Sequence, residues 1–282
     1  MYITIGTAQF GFKYGLDKIK INNKEILKIK KTISKNNIKY WDTAINYGRS
    51  EKILGNLKME KKVITKITLP KKKVKNLRKW YENTLRKSLK RLKVKRLYGL
   101  LIHNTADIFF DNKKFLNLIL ESKKKKLVSK IGISVYETKE VEKILKFWQP
   151  DIIQLPINIF DQRFIKNNFL KKLKKKKIEI FARSCFLQGI LLKDTLYMGS
   201  NKSKKIFKNF VAWCQKNKID QLTSCLHFVK KFKDINSLVV GFNDSSQLKE
   251  IINAFNKKLI MVPNKFSNNE KKIIDPRKWS YN

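Results

Sequence analysis

Short runs rich in Ile, Val and Leu alternate along this chain with longer segments whose apolar residues recur every three or four positions. Runs of the first kind suit buried strands, and segments of the second kind suit helices with one apolar face. The alternation predicts strands at 3–6, 39–42, 63–66, 97–102, 131–134, 152–155, 179–182 and 238–241. Helical stripes lie between them: Leu77, Trp80, Tyr81, Leu85, Leu89 and Leu92, then Val141, Ile144, Leu145 and Trp148, and later Leu248, Ile251, Ile252 and Phe255. The seventh crossover is longer and predicts two helices, near 204–216 and 221–232. After about residue 263 the chain is polar and irregular.

Eight strand-then-helix units point to an α/β protein, a single (β/α)8 barrel of the TIM type. An open doubly wound sheet shares the local alternation, but its first turn should read GxGxxG, and here it reads Gly6-Thr7-Ala8-Gln9-Phe10-Gly11. No Pro/Gly-rich linker divides the 282 residues, so one domain with a polar tail is expected.

The formal charge of +43 changes the picture less than its size suggests. Lysine is scattered along the whole chain beside abundant Asn and Ile, and runs such as Lys123 to Lys126 and Lys174 to Lys177 fall where helices should end. Cations are favoured and solvated there, so no specific nucleic-acid partner is expected; a recognisable reader motif is also lacking. The three cysteines, Cys185, Cys214 and Cys225, have no CxxC spacing and read as reduced packing residues, with no metal site indicated. With no leader and no apolar stretch of spanning length, a cytoplasmic protein without a membrane partner is expected.

In such a barrel the chemistry gathers at the C-terminal strand ends. Asp42, Lys66, His103, Ser134 and Gln154 fall there, on five different predicted strands. Singly, each has a structural explanation as a cap, a surface charge or a packed histidine; jointly, a carboxylate and an ammonium on adjacent inward strand ends suggest a site. The other histidine, His227, falls in an apolar helix and reads as packing.

The run Asp42-Thr43-Ala44-Ile45-Asn46-Tyr47-Gly48-Arg49-Ser50-Glu51 resembles the DTAxxYGxSE signature of the aldo-keto reductases. Val63-Ile64-Thr65-Lys66 and Leu100-Leu101-Ile102-His103 are similar to that family's strand-three lysine and strand-four histidine segments, and the likeness runs from Gly6 to about Phe255. The resemblance implies a nicotinamide-dependent reduction of an aldehyde or ketone, with a sugar or related polar carbonyl as the small-molecule substrate. Tyr47 would be the general acid, Lys66 would pull its pKa down, Asp42 would hold Lys66, and His103 would orient the substrate oxygen. The implied cofactor is NADPH, with NADH the alternative. Ser134 and Gln154 would hold its carboxamide; Gly6, Thr7, Asp42 and Ser184 would line it; Gly241, Asn243 and Gln247 would follow its pyrophosphate and adenosine. The helix starting near Ser245 would turn its N-terminus to phosphate.

Three positions depart from the family pattern. Val135 stands where an amide is common, Arg183 where an aromatic ring would stack on nicotinamide, and Gln247 where an arginine often meets the 2′-phosphate. Guanidinium can itself stack on an aromatic face, so Arg183 stays among the expected cofactor contacts. Phe10, Phe12, Tyr14 and Trp41 are candidates for the substrate wall, with a core role the competing reading for each. A different class of function also fits the sequence: a redox-sensing or regulatory subunit that binds cofactor and turns over little.

Overall fold

The computed structural model of the chain describes residues 1–13, 15, 19–72 and 74–279. Eight strands form a closed parallel barrel in chain order: β1 Tyr2–Gly6, β2 Tyr40–Asp42, β3 Lys62–Ile67, β4 Leu97–Ile102, β5 Val128–Ser134, β6 Ile152–Pro156, β7 Glu179–Arg183 and β8 Ser237–Val240. Closure is direct, because β8 pairs with β1 through Leu238 with Ile3 and Val240 with Ile5. That pairing excludes the open sheet. The expected strands are all present, with ends shifted by up to three residues, as at β5, where Val128 extends the ladder back from Ile131.

The helices are α1 Ala8–Gly11, α2 Asn23–Lys35, α3 Ser50–Asn56, α4 Leu77–Leu92, α5 Lys114–Lys124, α6 Thr138–Leu145, α7 Phe169–Lys175, α8 Asn201–Lys216, α9 Gln221–Lys230, α10 Ser245–Asn256 and α11 Lys271–Ile274. Their apolar stripes lie against the barrel: Leu77, Tyr81, Leu85 and Leu92 of α4 are all buried. Several starts are fixed by side-chain oxygens on the first free amides, Asn76 for α4, Ser200 for α8 and Asp220 for α9. Lysines 123 and 124 occupy the last turn of α5, and 172, 174 and 175 that of α7. Those charges complement the helix dipole where the chain needs a solvated end.

Inside the barrel, Ile64, Leu101, Ile152, Phe181 and Val239 fill a central layer, so the barrel is a core and not a pore. Phe10 and Trp41 are fully buried in the larger cluster outside it, which assigns both to packing. Tyr14 lies outside the described residues. His227 is buried between α9 and the end of α10: its Nε2 is 2.9 Å from the Ala254 carbonyl, and its Nδ1 accepts from the Ile260 amide at 3.0 Å. Both ring nitrogens are thus used by backbone, a structural role. The three cysteines are free and buried. Among the described residues no helix is long and apolar enough to cross a membrane, and no group of His, Cys, Asp and Glu could hold a metal ion.

Candidate active site

The loop after β2 carries the most distinctive sequence, and backbone hydrogen bonds explain its shape. Thr43 donates its amide to Ile64 and Ile45 donates to Lys66, so the loop continues along β3 before turning at Tyr47, whose amide reaches Ala44 at 3.0 Å. The loop then meets α1 at very close range. A Cβ on Gly11 would lie 1.6 Å from the Tyr47 carbonyl oxygen, and Gly48, at φ +53°, faces the Gly11 carbonyl in return. Only glycine allows both the contact and the left-handed turn.

Ser50 and Glu51 act as ties. The Ser50 hydroxyl lies 2.7 Å from Thr7 Oγ1 and 3.0 Å from Thr43 Oγ1, joining the β1 and β2 loops. Glu51, almost wholly buried, accepts from Thr65, Ser88 and Arg91 at 2.7 to 2.8 Å, joining α3 to β3 and α4. Half of the signature therefore holds the loop that presents Tyr47.

One cavity of about 330 Å³ opens at the C-terminal mouth of the barrel, and it gathers the expected site residues from every strand end. Gly6, Thr7, Asp42, Tyr47, Lys66, His103, Ser134, Gln154, Arg183, Ser184, Gly241, Asn243 and Gln247 all line it. At its centre Lys66 Nζ donates to Asp42 Oδ2 at 2.6 Å and to the Thr43 carbonyl at 3.0 Å, while Gln154 Nε2 donates to Asp42 Oδ1 at 2.7 Å. The Lys66 and Asp42 side chains are 2% and 7% exposed. A pair so dry must be held closely to be tolerated, and these three bonds hold it.

Tyr47 sits beside this pair. Its ring centre is 5.3 Å from Lys66 Nζ, 6.1 Å from the His103 ring and 5.6 Å from Phe12. No hydrogen bond within the described residues engages its hydroxyl. The expected downward pull by Lys66 is corrected here: burial, then the Asp42 charge, push the Tyr47 phenol up, and the cation that opposes them is Arg183. The reason is geometric, since the Lys66 charge is already committed to Asp42. Burial also lowers the Lys66 pKa.

His103 follows β4 directly, its amide bonded to the Ile67 carbonyl at 2.8 Å. Burial, with Lys66 and Arg183 adding to it, pushes the imidazole down to about 3, so it is neutral at ordinary pH. Between pH 6.5 and about 3 the unfolded chain binds a proton that the folded one refuses, so stability falls as pH drops through this window. The slope from this one group is about 1.4 kcal/mol per pH unit. His103→Gln is expected to flatten the fall, measured as urea midpoints at pH 7 and pH 4; an equal drop in both proteins would contradict it.

The far end of the cavity departs from expectation. The start of α10 was expected to face phosphate, yet three of the amides there are already engaged. The Asn243 amide donates to Gln247 Oε1 at 2.7 Å, the Ser245 amide to Glu25 Oε1 at 2.6 Å, and the Gln247 amide to Asp244 Oδ1 at 2.8 Å. The Ser245 contacts hold the Glu25 carboxyl below its ordinary range. Two carboxylates thus occupy the dipole's positive end, the arrangement P-loop-like sites leave to a ligand.

Elsewhere Asn158 proves to be support: its side chain donates to the Ser184 carbonyl and accepts from the Phe160 and Asp161 amides. Val135 is fully buried and contributes only its carbonyl, which accepts from Arg183 NH2 at 3.0 Å. Sequence reasoning missed Tyr136, which lines the cavity with the Arg183 guanidinium carbon 4.2 Å from its ring centre. Gln9 and Gln188 were missed too. The loop after β7 runs through positive φ at Ser184, Leu187, Gln188 and Gly189, a concentration of strain typical of segments shaped by a site.

A family model for the aldo/keto reductase family matches residues 2–261. Among solved structures, the holo form of aldo-keto reductase AKR11C1 from Bacillus halodurans superposes with a TM-score of 0.75 at 15% identity, covering 98% of this chain and 95% of that one. Glycerol dehydrogenase AKR11B4 from Gluconobacter oxydans gives 0.71 at 17% identity, covering 93% and 88%. At such identities the two structures show a shared fold. Among curated protein sequences none matches this chain. The match across nearly the whole barrel, with its strand-end cavity, places the chain in the aldo/keto reductase family, as an NAD(P)H-dependent oxidoreductase.

Proposed function

We propose that the chain reduces an aldehyde or ketone carrying polar groups to the alcohol, with Tyr47 as the general acid. The observation that carries this reading is the meeting of Tyr47, Lys66, Asp42 and His103 in one cavity, with the Lys66–Asp42 pair buried and the Tyr47 hydroxyl unengaged among the described residues. A phenol kept protonated by its surroundings can hand its proton to a carbonyl oxygen that gains charge, and neutral His103 can donate a hydrogen bond to the same oxygen. Lys66 keeps positive charge behind the ring.

The cavity suits a nicotinamide dinucleotide, which supplies hydride when bound. Ser134 has its hydroxyl, and Gln154 its Oε1, without a protein partner among the described residues, and both line the wall as a carboxamide would need. Gly6, Gly189 and Gly241 leave bare backbone along the cavity, and a Cβ on Gly189 would meet nothing within 4 Å. Such stretches admit close approach of a pyrophosphate.

The expected cofactor was NADPH, but the start of α10 supports NADH better. A ribose hydroxyl can donate to Glu25, whereas a 2′-phosphate meets Glu25 and Asp244 with the Asn243, Ser245 and Gln247 amides already engaged. Fluorescence titration should give NADH an affinity about tenfold above NADPH, a difference of about 1.4 kcal/mol. Glu25→Gln should narrow that ratio by raising NADPH affinity. Tighter NADPH binding by the wild type returns the reading to NADPH. Oxidation of bound dinucleotide by a panel of aldehydes, ketones and sugars tests the reaction itself: a folded protein that binds neither cofactor and turns over no carbonyl would end it.

A further inference from the structure

We infer that the cavity takes a carbonyl compound bearing an anionic group, and that Arg183 binds that group. The inference rests on the carbonyl-reductase reading above and narrows its substrate.

Arg183 ends β7, is half-buried and lines the cavity, yet no carboxylate among the described residues pairs with it. Its NH2 donates to the Val135 carbonyl at 3.0 Å and its NH1 to Ser184 Oγ at 3.2 Å. Both acceptors are neutral. A guanidinium has five donors, so most of its hydrogen-bonding capacity is left without a partner among the described residues, and its charge meets the Tyr136 ring but no carboxylate among them.

The guanidinium is also held in place. Its carbon lies 4.2 Å from the Tyr136 ring centre, and that of Arg277 lies 3.5 Å from the same point. Two guanidinium groups at those heights would overlap on one face, so the tyrosine is sandwiched between them. Arg277 has its own counterion: Asp275, 2% exposed, accepts from Nε at 2.9 Å and NH2 at 2.7 Å. The residue behind the ring is neutralised, and the one facing the cavity is not. A cation fixed before its ligand arrives loses little entropy on binding.

The rest of the wall agrees. Asp42 is the only carboxylate among the described lining residues, and its two oxygens are taken by Lys66 and Gln154. A carboxylate or phosphate on the substrate meets a guanidinium fork in half-dry surroundings; a neutral alkyl or hydroxyl group gains nothing comparable.

The same anion chemistry could come from the cofactor's phosphates, and the experiment separates the two. Wild type and Arg183→Met are compared with NADH on matched pairs: 4-oxobutanoate against butanal, and glyceraldehyde 3-phosphate against glyceraldehyde. Wild type should favour one or both anionic members by about 10- to 100-fold in kcat/KM, the range of a charged hydrogen bond. Which pair shows the preference tells carboxylate from phosphate. With dinucleotide saturating, Arg183→Met should lose that preference mainly through the KM of the anionic members, the anionic-to-neutral ratio of kcat/KM being the readout, and Arg183→Lys should regain part of it. Added KCl should weaken only the anionic members.

Preference for the neutral members by wild type, a measurement that needs no variant to fold, overturns the proposal. So does an Arg183→Met loss that is equal for both members, or one that lies in cofactor affinity. Cofactor-loaded wild type that reduces no carbonyl of either kind removes the reductase reading and this inference together, whereas turnover without anionic preference removes only the inference.

Discussion

Tyr47→Phe is expected to lower kcat by about 10²- to 10⁴-fold, the usual contribution of a positioned general acid, while leaving cofactor affinity and thermal stability almost unchanged. The separation of effects follows from the surroundings of the ring. Its hydroxyl makes no hydrogen bond within the described residues, so its removal strands no buried partner. The contacts with Phe12 and His103 and the approach of Lys66 belong to the ring, which phenylalanine retains. Melting temperature, dinucleotide titration and single-turnover rate measured on the same preparation check the three parts. His103 cannot take over the proton, because an imidazole pushed down to about 3 is unprotonated where the enzyme would work. Burial and the Asp42 charge raise the Tyr47 pKa, so the acid form persists above the ordinary phenol range near 10. Reduction by wild type should accordingly show no loss assignable to this group between pH 7 and 9. Full turnover by Tyr47→Phe would instead give the proton transfer to another residue or to water.

What the sequence disclosed, and what it hid, divides by distance and by charge balance. Strand ends carrying Asp42, Lys66, His103, Ser134 and Gln154 were legible because a parallel barrel sends all its C-terminal ends to one mouth. Barrel closure was legible from the absent glycine fingerprint, and the β8–β1 pairing bears it out. The clasp of Glu25 on the Ser245 amide joins residues 220 positions apart, and neither type of residue signals the other. The Tyr136 sandwich is hidden in the same way, since Arg277 comes from the tail that reads as irregular and lies beyond the matched residues 2–261. The direction of the Tyr47 shift was misread for a different reason. Sequence places an ammonium near a phenol, but only coordinates show that Asp42 and the Thr43 carbonyl already hold it.

That commitment also makes Lys66 costly to remove. Lys66→Met should destabilise the protein by about 3–5 kcal/mol, because it leaves Asp42 buried with Gln154 as its remaining side-chain donor. For a chain of this size the melting temperature should fall by roughly 10 °C. The loss would not measure what the pair adds to stability. Burial lowers the Lys66 pKa despite Asp42, so holding this ammonium dry costs the folded state more than the carboxylate returns. The sign on pH follows: the folded chain releases the Lys66 proton at lower pH than the unfolded one, so this group's contribution improves as pH rises through its folded pKa. The double variant Asp42→Asn with Lys66→Met, which removes both charges, should therefore recover most of the stability lost in the single variant. Recovery of the fold without recovery of turnover would mean that the buried pair is kept for the charge it sets behind Tyr47. If the double variant is as unstable as the single one, Lys66 is holding the β2 loop through the Thr43 carbonyl, and its role is structural first.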